Sequence, residues 1–172
     1  MRTLLITFLL AFTFTAAAGQ SAKPPFSIEI SAPKIVKAGA PIEIKVVLTN
    51  TSDHSIDFRA HEPEEVNYRT EVFKSDGRRE DYTTHGQFLA TGSCKLQGGE
   101  AKGVPSCIGN YGPSVLVSLR PSGKYTASID VTDQFRLNKP GDYSIRVSRS
   151  TAGDPEKRIT VTSNTITVTV TP

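Results

Sequence analysis

The sequence predicts an all-β fold, an antiparallel sandwich of about 7–9 strands carrying one long glycine-rich loop. Three observations predict it. Several runs alternate apolar and polar residues with a period of two, which buries one face of a strand and wets the other. Clusters of Gly, Pro, Asn and Asp separate those runs at short intervals, as in sandwiches and barrels. No stretch shows the three-to-four-residue apolar spacing of an amphipathic helix.

The chain opens on processing chemistry. Arg2 precedes an apolar and small-residue run from Leu4 to Ala18, and Ala16-Ala17-Ala18 offers a small-residue cleavage site. This reads as a secretory signal peptide over residues 1–18. The run is shorter than the roughly 20 residues a membrane span requires, so no transmembrane anchor is expected after processing. Cleavage near Ala18 leaves about 150 residues, enough for one domain with its own core. The expected location is secreted or periplasmic. Residues 19–25 are a polar, Pro-containing leader, and the domain is expected over 26–172.

Phe26, Ile28 and Ile30 form a first strand that Pro33 ends. Ile35-Val36 makes an irregular edge piece before the turn Ala38-Gly39-Ala40-Pro41. Ile42, Ile44, Val46 and Leu48 then alternate with Glu43, Lys45 and Thr49, and Val47 hints at partial burial of the outer face. A turn-rich link, Asn50 to Ser55, leads to Ile56 and Phe58. Arg59 to Glu65 is polar and interrupted by Pro63. Tyr68, Thr70 and Val72 resume the alternation, and Asp76-Gly77 is a hairpin turn with a return strand from Arg78 to Tyr82.

Thr83 to Ser114 lacks sustained periodicity and is rich in glycine. Loops of this length without structure are uncommon inside compact domains and usually carry function. His85, Phe88, Lys95 and Tyr111 are its candidate contact residues. It also holds both cysteines, Cys94 and Cys107. In an oxidising compartment a disulfide is the default. It would close a loop of about 14 residues, stabilising by about 3 kcal/mol in the chain-entropy description.

Val115, Val117 and Leu119 form the next strand, and Arg120-Pro121-Ser122-Gly123 turns the chain. Tyr125, Ala127, Ile129 and Val131 face one way. Asn138-Lys139-Pro140-Gly141-Asp142 breaks the run, after which Tyr143, Ile145 and Val147 alternate with Ser144, Arg146 and Ser148. Gly153-Asp154-Pro155 marks another turn. Ile159 and Val161 alternate on odd numbers, whereas Ile166, Val168 and Val170 alternate on even ones. A one-residue change of phase flips every side chain, so Ser163-Asn164 is expected to hold a bulge or break.

No constellation for chemistry emerges. His61-Glu62-Pro63-Glu64-Glu65 lacks the second histidine on a helical face that a zinc protease motif needs. His85 with Asp81 has no distinctive ligand spacing. Thioether copper ligation finds no donor, because the only methionine is Met1. No serine lies in a Gly-x-Ser-x-Gly elbow, and the glycine pairs lack a phosphate-loop ending. No cofactor and no metal site are expected. The net charge of +3 without a basic run argues against a nucleic-acid partner.

Pro140-Gly141-Asp142-Tyr143 resembles the tyrosine corner of immunoglobulin-like sandwiches. The resemblance implies that the Tyr143 hydroxyl bonds back to the upstream backbone. Ile145 stands where antibody domains carry a cysteine, and the chain has no tryptophan. Asn50-Thr51-Ser52 between its flanking strands resembles the B–C portion of bacterial immunoglobulin-like domains, and is formally a glycosylation sequon. Leu119 to Tyr125, Asp130 to Thr132, Lys139 to Tyr143 and Ser163 to Thr165 are similar to exported bacterial immunoglobulin-like or fibronectin-like domains. Related segments occur in proteinase inhibitors and in accessory modules beside peptidases. The resemblance implies architecture and carries over no catalytic or binding residue. It supports a non-catalytic module that binds a protein or cell-envelope component. The alternatives are a proteinase inhibitor acting through loops at one end of the sandwich, and a hydrolase or metal-binding protein.

Overall fold

Strand β3 (Glu43–Asn50) lies at the centre of one layer, between β1 (Phe26–Ser31) and β7 (Lys124–Asp130), with both pairings antiparallel. This is the computed structural model of the chain, and it describes residues 23–91, 113–151 and 158–172. The second layer runs in the order β2 (Ile35–Lys37), β10 (Ile166–Thr171), β8 (Gly141–Ser150) and β5 (Arg69–Lys74). β2 pairs with β10 in parallel, while β10 and β5 flank β8 antiparallel. By position, β1, β3 and β7 take the places of strands A, B and E of an immunoglobulin-like sandwich, and β5, β8 and β10 those of C, F and G.

The period-two pattern decides which side chains meet between the layers. Ile44, Val46, Ile129, Val72, Ile145, Val147 and Val168 are fully buried, and Leu48 and Val170 nearly so. Burying each such side chain contributes about 1.5–3 kcal/mol. The phase change near the C-terminus is a bulge. β9 (Thr160–Thr162) pairs Val161 with Arg149, whereas β10 pairs Ile166 with Ile145, so the pairing slips by one residue between them. The slip lets odd-numbered Val161 and even-numbered Val168 both reach the core. Within the break, Asn164 behaves as a strand in miniature. Its Oδ1 accepts from the Ile30 amide at 2.8 Å and its Nδ2 donates to the Ile30 carbonyl at 3.0 Å. One side chain thereby fastens the second layer to β1.

The Tyr143 hydroxyl donates to the Lys139 carbonyl, four residues upstream, at 2.8 Å. Gly77 closes the hairpin after β5 with φ +80°, a conformation that glycine adopts without strain. The return segment is thinner than a strand: Glu80 N donates to Val72 O at 2.9 Å, and Phe73 bridges Arg79.

Two expectations are corrected. The chain is not without helix. α1 (Thr84–Thr91) and α2 (Val131–Gln134) are helical, and Glu64–Asn67 is a 3-10 turn. The first turn of α1 is capped by Thr83, whose Oγ1 accepts from the Gly86 amide at 3.0 Å. Gly86, one of the glycines of the stretch read as a loop, is a contact residue. A Cβ there would lie 1.9 Å from the Gln134 carbonyl oxygen, so only glycine allows α1 to pack on α2. The loop read over residues 83–114 therefore begins as a helix.

The second correction concerns the B–C resemblance. β4 (Ile56–His61) does not enter the main sheet; β5 pairs with β8 instead. β4 pairs with β6 (Ser114–Leu119) as a separate ribbon. Asn50 supplies the reason. Its buried Nδ2 donates to His54 O at 2.8 Å and Leu119 O at 2.9 Å, while its Oδ1 accepts from the Ser52 amide at 2.9 Å. The turn is tied to the end of β6, so the chain leaves β3 toward that ribbon. The same bonds occupy the Asn50 amide, which is 1% exposed, and remove the sequon as a glycosylation site.

Candidate functional site

Polar side chains occupy core-facing positions at one end of the β5–β8 pair. Thr70 precedes Val72 by two residues on β5, and Tyr68 precedes Thr70 by two. On β8 the odd-numbered series Tyr143, Ile145, Val147 continues to Arg149. The register pairs Thr70 with Val147 and Arg69 with Ser148, so its continuation sets Tyr68 beside Arg149. Gln134, the last residue of α2, arrives from the other layer, because Thr83 N and Gly86 hold to its backbone.

These four residues line one cleft of about 410 Å³, whose apolar rim includes Val66 and Leu89. Tyr68, Thr70 and Gln134 are at most 6% exposed. Thr70 Oγ1 and Gln134 Nε2 are buried and make no hydrogen bond, while the equally buried Tyr68 hydroxyl and Arg149 guanidinium interact with each other, a side-chain hydrogen bond from Arg149 being one of the influences on the phenol. Arg149 Nη2 donates to Arg59 O at 2.7 Å. Its guanidinium carbon lies 4.5 Å from the Phe58 ring centre and 5.3 Å from that of Tyr68. The two rings hold the planar cation in place.

The 3-10 turn braces the floor. Asn67 Oδ1 accepts from His61 N at 2.9 Å, and Asn67 Nδ2 donates to His61 O at 2.8 Å. Glu64 accepts from the Tyr125 hydroxyl and from Asn67 Nδ2. Burial, followed by the adjoining Glu64 carboxylate, pushes the Tyr125 phenol well above its ordinary value. Burial also raises the Tyr68 phenol, and Arg149 offsets only part of that rise. Both phenols are therefore protonated at neutral pH.

Among the described residues, those lining the cleft include no carboxylate, imidazole or thiol; Arg149 is among them, and Arg69, which also lines it, is paired with Glu71 at 3.9 Å. Such a wall offers hydrogen-bond donors and no group that exchanges a proton near pH 7. A second hollow of about 730 Å³ lies under the β4–β6 ribbon, lined in part by Leu48, Ile56, Phe58 and Leu116.

Of the candidate contact residues read from sequence, two lie on α1. His85 is exposed, with its Nε2 3.7 Å from Glu65 Oε1, and among the described residues it joins no cluster of metal-ligating side chains with Asp81. Phe88 is half-buried. Cys94 and Cys107, Lys95, Tyr111 and the expected signal peptide lie outside the described residues. Tyr143 stands six positions along β8 from Arg149, about 20 Å at strand spacing. Sequence reading missed Tyr68, Thr70, Gln134 and Arg149. A signal for two of them was present: a threonine and an arginine continue otherwise apolar alternating series.

No protein-family profile matches the chain, and no curated protein matches it. Similarity appears among solved structures. The CARDB domain of the PF1109 protein from Pyrococcus furiosus, solved in complex with di-metal ions, is 12% identical with a TM-score of 0.41, over 85% of this chain and 87% of that one. A β-glucosidase from Listeria innocua in complex with isofagomine is 13% identical with a TM-score of 0.40, over 84% of this chain but only 16% of the enzyme. The ASH/PapD-like domain 7 of human CEP192 is 14% identical with a TM-score of 0.35, over 99% and 98% of the two chains.

Proposed function

We propose that this protein is an exported, non-catalytic immunoglobulin-like module that binds a protein or cell-envelope component, and that the cleft between β5, β8, α1 and α2 takes part in that contact. One observation supports the reading above others. Two buried polar atoms without partners, Thr70 Oγ1 and Gln134 Nε2, lie beside the Tyr68–Arg149 pair in a single cleft that lacks acid–base groups among its described walls. A buried polar group left unpaired costs about 1–3 kcal/mol. Folded proteins tolerate such groups where a ligand or ordered water completes them. Export rests on the N-terminal processing signal, and the glycine-rich composition of residues 92–112, which follow α1 in sequence, supports including them in the contact.

The test is affinity capture from cell-envelope extract. Wild-type protein should retain a partner that a Gln134→Leu variant and a deletion within residues 92–112 retain less well, with circular dichroism showing the fold intact. Identical capture by all three well-folded proteins would refute the role of this end of the sandwich.

A further inference from the structure

We infer that the outer edge of β6 pairs with the same edge of a second copy of this chain, antiparallel about a two-fold axis at Leu116, so that the protein self-associates through a surface separate from the cleft. One bond sets the direction of the backbone. Glu62 N donates to Pro113 O at 3.2 Å at the end of the β4–β6 ladder. Hydrogen-bonded and non-bonded pairs alternate along an antiparallel ladder. The amides and carbonyls of Val115 and Val117 therefore point at β4, and those of Ser114, Leu116 and Ser118 point away from it. Among the described residues, nothing pairs with that outward row. Elsewhere the molecule closes such rows with side chains. Along the outer edge of β4, Asn67 bonds both backbone groups of His61 and Arg149 bonds the carbonyl of Arg59. On β1, Asn164 bonds both groups of Ile30. β6 also lacks the usual protection of an open edge, for it holds no charge, no proline and no bulge. Val115 and Leu116 are instead 61% and 68% exposed.

The residues of this edge select the occupant. Ser114-Val115-Leu116-Val117-Ser118 reads the same in both directions. Two antiparallel copies placed about Leu116 set leucine opposite leucine, valine opposite valine and serine opposite serine. A two-fold contact requires such self-complementarity. Because the even-numbered residues face outward, the Leu116 pair and both Ser114–Ser118 pairs are the hydrogen-bonded ones, giving about six backbone bonds. Val115 of one copy and Val117 of the other form the closely spaced non-bonded pairs, whose side chains interact across the strands. An unrelated strand gains the same backbone bonds without this matched set of side chains, so a second copy is the favoured occupant. One strand per partner falls short of the roughly 20–30 residues a side of a standard interface, so the dimer is reversible and dissociates in the micromolar range.

Sedimentation velocity of the exported protein over about 1–500 μM should show a monomer–dimer equilibrium. Leu116→Lys and Leu116→Glu each place like charges opposite one another, and each should weaken association by about tenfold to a hundredfold. Leu116 is exposed, so neither change enters the core. An equimolar mixture of the two variants should recover the dimer, because opposite charges then meet at the axis. Hydrogen exchange in the unmodified protein supplies a readout that depends on no variant. Raising the concentration should slow the amides of Ser114, Leu116 and Ser118 and leave those of Val115 and Val117, already directed at β4, unchanged. A protein monomeric throughout the range, variants that dimerise as the wild type does, a mixture no tighter than its components, or concentration-dependent slowing confined to other residues would each overturn the pairing.

Discussion

Replacing Thr70 by Val should make the ligand-free protein more stable. Thr70 is 4% exposed, sits opposite Val147 on β8, and its hydroxyl has no partner. Burying an unpaired hydroxyl costs about 1–3 kcal/mol. Valine has nearly the same volume, keeps the β-branch that strands favour, and presents a methyl group where the hydroxyl was. Part of the cost is also present in any partly hydrated wild-type state, so the net gain is about 1 kcal/mol. For a chain of 172 residues, this corresponds to a rise of about 2–4 °C in Tm. Urea unfolding should show a higher midpoint with an unchanged slope. Thr70→Ser is the internal control: it keeps the unpaired hydroxyl, loses a buried methyl group, and should destabilise by about 1 kcal/mol. If the Val variant instead loses more than about 0.5 kcal/mol, the Thr70 hydroxyl is paired in the free protein, and its unpaired burial in the cleft is refuted.

Three further outcomes follow from other contacts. Asn50→Ala removes a buried amide that serves the carbonyls of His54 and Leu119, and chemical unfolding should show a loss of about 2–4 kcal/mol. Gly86→Ala drives a methyl group into the Gln134 backbone. Despite the better helix propensity of alanine, it should lower stability by about 1–3 kcal/mol and raise hydrogen exchange in α1 relative to the β3 core. Glu71 governs a pH effect. Burial pushes its carboxyl up, but the hydrogen bond from Arg146 and the charges of Arg146, Arg79 and Arg69 outweigh that and hold it below the ordinary value. A lowered carboxylate value stabilises the fold above the ordinary range and loses that contribution as pH falls through the lowered value. The stability difference between wild type and Glu71→Gln should thus be constant above about pH 5 and shrink in acid; a difference that widened in acid would refute the ion cluster's role.

Much of the fold was legible because strand burial is a local property. Ile44, Val46 and Leu48 declare a buried face by spacing alone, and the odd-to-even switch between Val161 and Ile166 announced a slip in pairing that β9 and β10 display against β8. What spacing does not contain is partnership. Nothing near Ile56 says that β4 will leave the sheet and that β5 will take its place; that choice is made by Asn50 reaching Leu119, 69 residues away. Gly86 was hidden in a glycine-rich stretch read as loop, because its value lies in a contact with α2 that no local pattern records.

Alternation and turns are written into the chain residue by residue, and the two-layer architecture follows from them, since a period of two permits one buried face per strand. Where polar residues gather is a matter of long-range packing. Tyr68 and Thr70, Gln134, and Arg149 come from three separate stretches of chain, each a single exception in its own element. Strand register and the seating of α2 bring them to one cleft, because chain folding, unlike side-chain periodicity, is fixed by contacts between residues far apart in sequence.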